Sequence, residues 1–152
     1  MMEPSSTRLL ALGGLLSAGV ALLHSVVIFV GAPAYRYLGA GERMARQAER
    51  GFIYPALVTL VLTLIFALWA AYAFSGAGLI PKLPLLRTAL VMIGSIYTLR
   101  GLALIPQLWL FVRSEGEIPP RHLFFSAVSL LIGLAYLLGT RLAWRDLAPP
   151  GA

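Results

Sequence analysis

Four long apolar segments constrain the fold of this sequence more than any other feature. A helix needs about 20 mostly apolar residues to cross the roughly 30 Å hydrocarbon layer of a bilayer. The segments cover residues 9–31, 52–75, 85–112 and 122–142, nearly two thirds of the 152-residue chain. The sequence therefore predicts an all-α integral membrane protein, folded as a four-helix transmembrane bundle with up-down topology.

The composition disfavours an ordinary soluble domain. Hydrophobic residues make up 59% of the chain and charged residues 12%, whereas soluble domains have about half and about a quarter. The connections after the second and third segments are short, so consecutive helices are predicted to be antiparallel neighbours. We predict one membrane domain over residues 1–152.

The first apolar segment could instead be a cleaved signal peptide. Signal peptides have an apolar stretch of about 7 to 15 residues behind a positively charged start. Residues 9–31 form a longer stretch, and Arg8 is the one basic side chain before it. A retained membrane span is therefore favoured.

The charge balance indicates the partners. Twelve basic and six acidic residues give a net charge of +6, but no basic run is interleaved with aromatic residues as nucleic-acid binding would require. Anionic membrane lipids are the predicted partners. A homo-oligomer or a membrane-protein partner is left open by the sequence.

The orientation follows weakly from the loops, because Lys and Arg mark the cytoplasmic side. Five basic residues lie on the side of the termini. Six lie on the opposite side, in loop 1 (residues 32–51) and loop 3 (residues 113–121). The latter side also carries carboxylates that can pair with its Arg residues: Glu42, Glu49, Glu115 and Glu117. We predict a multi-pass protein of the bacterial inner (plasma) membrane with both termini in the cytoplasm.

Small side chains recur at four-residue spacing in the spans. Gly13, Ser17, Ala21 and Ser25 form such a series in the first span, and Ser129 with Gly133 forms one in the fourth. Helices in lipid associate by close packing through small residues. We interpret these stripes as packing faces within the chain, with a dimerisation face as the alternative.

Arg100 is the residue least suited to lipid, because it lies near the midpoint of the third span. Insertion of a central Arg costs about 2.5–3.5 kcal/mol. Its guanidinium has N–H donors and no acceptor. Arg100 therefore needs an acceptor or an anion, unless its side chain extends to the interface.

Other polar side chains fall in the same half of the spans. Tyr97 and Gln107 share a helix face with Arg100, and His24 of the first span has a similar depth. His24 could instead be a hydrogen-bonded structural residue. Pro106 frees a carbonyl and predicts a kink beside Arg100. Together these residues predict a polar pocket that opens toward loops 1 and 3.

Loop 1, residues 32–51, is the longest connection. Residues 41–50 read as a short helix in which Glu42 can pair with Arg46, and Arg46 with Glu49, while Tyr35 and Tyr37 suit the membrane interface. The helix could lie flat as a lid or be a solvated linker. Glu49 is the carboxylate predicted to approach Arg100.

The segment from Phe29 to Tyr37, FVGAPAYRY, is followed by Gly41-Glu42-Arg43. With these motifs the chain resembles small uncharacterised four-span bacterial inner-membrane proteins over most of its length. The resemblance implies a membrane location and no assigned activity.

Several chemistries lack the residues they need. The predicted spans contain no carboxylate, which disfavours a proton-coupled cation exporter and an intramembrane aspartic protease. The chain also has no Cys, so too few ligands are present for a zinc or iron site. His24 and His122 differ in depth, which argues against bis-His haem. A hydrolase built from Ser25 or Ser126 with His24 would lack an orienting acid. We predict no metal, no cofactor and no catalytic residue.

Two functions remain. In the first, the pocket binds or transports an anionic or amphipathic molecule such as a lipid, with Arg100 as the counter-charge and His24, Tyr97, Gln107 and Glu49 as its neighbours. In the second, Arg100 and His24 fasten the bundle of a non-catalytic assembly subunit.

Overall fold

The computed structural model describes residues 3–113 and 119–148. Its helices, in chain order, are α1 Pro4–Val30, α2 Ala32–Tyr37, α3 Glu42–Glu49, α4 Tyr54–Gly76, α5 Leu86–Leu102, α6 Leu104–Arg113 and α7 Pro120–Leu142. No strand occurs among the described residues. The loop-3 residues Glu115 and Glu117 lie outside them.

Four helical stretches are long and apolar enough to cross a membrane: Pro4–Val30, Tyr54–Gly76, Leu86–Arg113 and Pro120–Leu142. They coincide with the four apolar segments of the sequence to within five residues at every end. The prediction of an all-α chain with four membrane helices is confirmed. Residues 41–50 also contain the predicted short helix, as α3.

The third span is interrupted at Ala103, which separates α5 from α6. Pro106 lies three residues beyond the break and has no N–H to donate to the carbonyl of Leu102. The helix resumes as the Gln107 N–H donates to the Ala103 carbonyl oxygen at 3.2 Å. The helix is thus interrupted close to Arg100, where a kink was predicted from Pro106.

The described residues form two compact units, one of residues 3–15, 71–113 and 119–148 and the other of residues 16–70. In the first unit, α5 packs on α7 through glycines. A Cβ on Gly101 would lie 2.5 Å from the Cα and N atoms of Leu130, and one on Gly94 would lie 2.9 Å from the Leu137 side chain. Backbones approach this closely because neither glycine has a side chain.

Four helix ends meet in the first unit. Leu10, near the start of α1, is fully buried and contacts the positions of Gly76, at the end of α4, and Gly139, near the end of α7. Gly76 also contacts Leu90, near the start of α5. The start of α1, the end of α4, the start of α5 and the end of α7 therefore lie at one level. Successive membrane spans thus run in opposite directions, as the predicted up-down topology requires.

The second unit joins loop 1 to α1 and α4. Tyr35 is 3% exposed and donates its hydroxyl proton to Thr59 Oγ1 at 3.1 Å, since the Thr59 proton is given to the Pro55 carbonyl. Tyr35 also packs with Val27, Ala32 and Ala45. Tyr35 is thus enclosed by protein, and its predicted position at the membrane interface stays a prediction.

Large apolar side chains are exposed along the spans. Phe29 is 88% exposed and Leu99 70% exposed, and many Leu, Ile and Val residues of α1, α4, α5 and α7 behave alike. In water such a surface would drive aggregation. In a bilayer these side chains face acyl chains, which agrees with the four membrane helices.

Candidate functional site around Arg100

Arg100 lies at the middle of the third span. The midpoint of Leu86–Arg113 falls between Leu99 and Arg100. Arg100 is also three residues before the break at Ala103, in the last turn of α5. Its side chain is exposed rather than enclosed by protein. A guanidinium is therefore presented at the level where hydrocarbon would surround it.

Three polar side chains form a chain of hydrogen bonds there. Arg100 Nη1 donates to Ser126 Oγ at 2.9 Å, and the Ser126 hydroxyl donates to Gln107 Oε1 at 2.8 Å. The hydroxyl is fully buried and both accepts and donates. Arg100 of α5 and Gln107 of α6 are thus joined through α7, across the break.

The sequence placed Arg100 and Gln107 on one helix face, and the structure brings them to one hydroxyl. Ser126 was named from the sequence only as a possible nucleophile of a disfavoured hydrolase. Its bridging role was missed, because the pairing of α5 with α7 decides it. The close contact of Gly101 with Leu130, one turn from Ser126, is the signal that points to it.

Tyr97 is buried in the contact between α5 and α7. It is 5% exposed, and its ring centroid lies 5.9 Å from that of Tyr136. Tyr97 is therefore part of the core that carries Arg100. Its predicted contact with a ligand stays a prediction.

His24 and Glu49 belong to the second unit. His24 Nδ1 lies 2.8 Å from the Val20 carbonyl oxygen, and its ring centroid lies 4.9 Å from that of Phe66. Because a carbonyl oxygen only accepts, Nδ1 carries the proton and donates it. The predicted meeting of His24 with Arg100 stays a prediction.

Glu49 accepts a hydrogen bond from Arg36 Nη1 at 2.7 Å. Arg36 also binds Glu42 through Nε and Nη2, each at 2.9 Å. The predicted pair of Glu42 with Arg46 is present at 3.9 Å. Arg46 also acts electrostatically on Glu49, as predicted, but Arg36 from α2 makes the hydrogen bonds to both ends of α3. We call this set of contacts the Arg36 clamp. The approach of Glu49 to Arg100 stays a prediction.

The Arg36 clamp changes the acidity of both carboxyls. The hydrogen bond from Arg36 is the largest influence and lowers the pKa of Glu42 and of Glu49 below the ordinary value of 4.5. Partial desolvation acts in the opposite direction but is weaker. The same contacts raise the pKa of Arg36. The clamp is therefore fully charged at neutral pH.

Acid is expected to release loop 1. Because both pKa values are lowered by folding, the clamp stabilises the loop above the ordinary Glu pKa and is lost as pH falls through the lowered values. A spin label on Ala40→Cys, in a chain with no other Cys, should keep constant mobility from about pH 8 to about pH 5 and gain mobility below about pH 4.

Two comparisons check that result. Arg36→Gln should give a mobile label at every pH. A label on Leu79→Cys in loop 2, residues 77–85 between α4 and α5, should show no such transition. A wild-type transition near neutral pH, or an acid transition that survives Arg36→Gln, would contradict the clamp.

Metal ligands do not cluster in the described part of the chain, where no group of three or more His, Cys, Asp or Glu side chains could hold an ion. Arg100, Ser126 and Gln107 offer donors and one amide oxygen. This set suits an anion and not a cation.

No family model, curated protein or solved structure matches the chain.

Proposed function

We propose that this multi-pass membrane protein binds an anionic amphipathic molecule, such as a lipid or fatty acid, through Arg100. One observation carries the proposal: a guanidinium at the middle of a membrane span has a neutral hydroxyl as its protein partner. Among residues 3–113 and 119–148, no carboxylate pairs with it.

The hydrogen-bond count of Arg100 supports an external anion. The side chain has five N–H donors, and one of them has an acceptor within the described residues. Arg stays charged in proteins and is costly at the centre of a bilayer. A carboxylate or phosphate headgroup would supply both the opposite charge and acceptors for the planar fork.

The headgroup would have polar neighbours at this site. The Ser126 hydroxyl and the Gln107 amide lie on one side of the guanidinium, and the exposed Leu99 and Leu102 lie next to Arg100 in the chain. An acyl chain would contact these leucines while its headgroup contacts Arg100. Arg100 is the counter-charge in this proposal, and Gln107 and Ser126 orient its side chain.

A structural role is the second candidate, and the same hydrogen bonds favour it. Ser126 of α7 binds Arg100 at the end of α5 and Gln107 of α6, so it links all three helices. Hydrogen bonds between membrane helices average about 0.6 kcal/mol. In this role Arg100 braces the broken third span of an assembly subunit and binds no ligand.

The two roles are separated by measuring ligand affinity and thermal stability together. The probes are a bromine-labelled fatty acid and the corresponding uncharged alcohol, bound to purified protein in uncharged detergent. Arg100→Met should weaken fatty-acid binding about 30-fold, since a hydrogen-bonded charge contributes about 2 kcal/mol. Arg100→Lys should weaken it less, because the charge stays and the fork is lost.

Arg113→Met is the matched control, because Arg113 is in the same span and lies over the Trp109 ring, 4.8 Å from its centroid, without touching Ser126. It should leave fatty-acid affinity unchanged. Ser126→Ala should lower stability in the structural role, whereas in the binding role it should weaken fatty-acid binding, though less than Arg100→Met does, because the charge stays. The binding proposal would be rejected if Arg100→Met bound the fatty acid with wild-type affinity, or if Arg113→Met lost as much affinity as Arg100→Met. The structural role of Arg100 would then remain.

The proposed location is a bacterial inner membrane with both termini in the cytoplasm. The Arg36 clamp supports this orientation, because it uses two carboxylates to neutralise positive charge on the loop-1 side. On the side of the termini, Lys82 and Arg87 instead contact main-chain carbonyls. Five basic residues on the terminal side and six on the loop-1 side are nearly balanced, so the proposed orientation rests on these carboxylates.

A further inference from the structure

A groove lies at the end of the first unit that carries loop 2 and the segment after α7. Its volume is about 530 Å³. One wall is the start of α5 with the residues before it, and the other is the segment around Leu147 and Ala148. The lining includes two cations, a hydroxyl and apolar side chains: Lys82, Leu83, Leu85, Arg87, Thr88 and Leu147.

The two cations of the groove hold its walls together. Lys82 Nζ donates to the carbonyl oxygens of Asp146 at 2.7 Å and Ala148 at 3.4 Å. Arg87 Nη2 donates to the Arg145 carbonyl oxygen at 3.4 Å, and the guanidinium lies 4.9 Å from the Trp144 ring centroid. Among residues 3–113 and 119–148, Arg87 Nε is buried and has no hydrogen-bond partner. The hydrogen bonds of both cations given above go to main-chain carbonyl oxygens, which leave the positive charges in place for an anion.

The loop that carries Lys82 is held by hydrogen bonds to Ser75, a buried residue near the end of α4. Ser75 is 2% exposed, donates its hydroxyl to the Pro81 carbonyl at 2.9 Å and accepts from the Leu83 N–H at 2.9 Å. Lys82 lies between the two residues bound by this one hydroxyl. The cation is thus held in place before any ligand arrives, which reduces the entropy lost on binding.

The rim of the groove is apolar and aromatic. Leu85 is 79% exposed, Leu79 61% and Trp144 48%, and α5 begins here without a side-chain cap. Trp prefers the headgroup layer of a bilayer, and exposed Leu prefers the acyl layer below it. The groove thus has cations where a headgroup would lie and apolar walls where an acyl chain would lie.

We infer that this groove binds the phosphate-bearing headgroup of an anionic phospholipid, with Lys82 and Arg87 as the counter-charges. The site is separate from the one proposed at Arg100 and does not depend on it. It gives this end of the bundle a fixed contact with the negatively charged leaflet, where each Lys or Arg near the surface strengthens attachment.

The test uses the full chain in uncharged detergent, with dioctanoyl phosphatidylglycerol and the zwitterionic dioctanoyl phosphatidylcholine as probes. Native mass spectrometry gives the affinity for each lipid. Lys82→Gln with Arg87→Gln should weaken phosphatidylglycerol binding about 25-fold, or about 5-fold for each charge lost. Phosphatidylcholine binding should change less than about twofold, since its headgroup has no net charge.

The matched control removes two other surface charges. Arg43→Gln with Arg50→Gln changes the net charge equally in exposed residues of loop 1 and should leave phosphatidylglycerol binding unchanged. Lys82→Arg with Arg87→Lys keeps both charges and should retain it. The loss in the groove variant should persist in the Arg100→Met background, because the two sites are separate.

A rim substitution tests the groove without removing the contacts of Lys82. Leu85→Glu should weaken phosphatidylglycerol binding and Leu85→Lys should strengthen it. Equal losses in the groove variant and the Arg43/Arg50 control would overturn the proposal in favour of general electrostatic attraction. Stabilisation by inorganic phosphate alone, equal to that by phosphatidylglycerol, would overturn the lipid assignment and leave a site for the free ion.

Discussion

Tyr136→Ala is expected to destabilise the protein by about 3–5 kcal/mol. Tyr136 is fully buried, and its ring centroid lies 5.9 Å from that of Tyr97. A Cβ on Gly94 of α5 would lie 3.0 Å from the Cβ of Tyr136. A Cβ on Gly13 of α1 would lie 2.9 Å from the same ring. Removing the ring leaves a cavity where α1, α5 and α7 meet.

The measurement is the thermal unfolding midpoint in uncharged detergent micelles. Phe29→Ala is the control, since Phe29 is 88% exposed and its removal should cost less than about 1 kcal/mol. Similar midpoints for the two variants would show that the Tyr136 ring is not part of a packed core. Tyr136→Phe should retain most of the stability, because the ring remains.

Gly101→Val is the second substitution with a large expected effect, about 3 kcal/mol. The new Cβ would lie 2.5 Å from the Cα and N atoms of Leu130. Backbone atoms cannot rotate away as a side chain can, so α5 and α7 must separate. The separation would also lengthen the 2.9 Å bond from Arg100 to Ser126, so fatty-acid binding should change with stability.

Gly19→Val provides the comparison, because a Cβ on Gly19 meets no heavy atom within 4 Å. It adds the same side chain to a membrane helix and should shift the midpoint little. For a chain of this length about 3 kcal/mol corresponds to roughly 10 °C. An unchanged midpoint for Gly101→Val would mean that α5 and α7 do not approach closely at this glycine.

The sequence was sufficient for the membrane helices because hydrophobicity alone determines them. Residues 52–75 were predicted where α4 covers Tyr54–Gly76. The first helix begins earlier than the apolar pattern, at Pro4, because Pro is tolerated in a first helical turn and the polar residues after it remain helical. The break near Arg100 was also predictable, since Pro106 has a local steric effect.

The contacts between helices were less predictable. The stripe ending in Gly133 was correctly read as a packing face within the chain, since a Cβ there would meet the Thr98 N atom at 2.6 Å. Gly94 and Gly101, seven residues apart, were not recognised as the facing surface. Glycine spacing indicates a smooth helix face but does not say which helix covers it.

The Arg36 clamp could not be read from helical spacing at all. Arg36 meets Glu42 and Glu49 from six and thirteen residues away, across the turn between α2 and α3. Periodicity rules apply within one helix, and the turn that reverses the chain is set by Gly39 and Gly41 at positive φ. The pairing depends on that turn and on the buried Tyr35.

The break at Ala103 divides the third span into two halves, α5 and α6, that differ in how much of their surface is buried. α5 has six buried residues, whereas α6 has none. α6 is therefore the half of the third span whose displacement would expose the least buried surface. Such a displacement would break the bond from Ser126 to Gln107 but expose no buried side chain of α6. In the binding proposal, a ligand that approaches Arg100 from the bilayer would meet fewer buried side chains on the α6 side than on the α5 side.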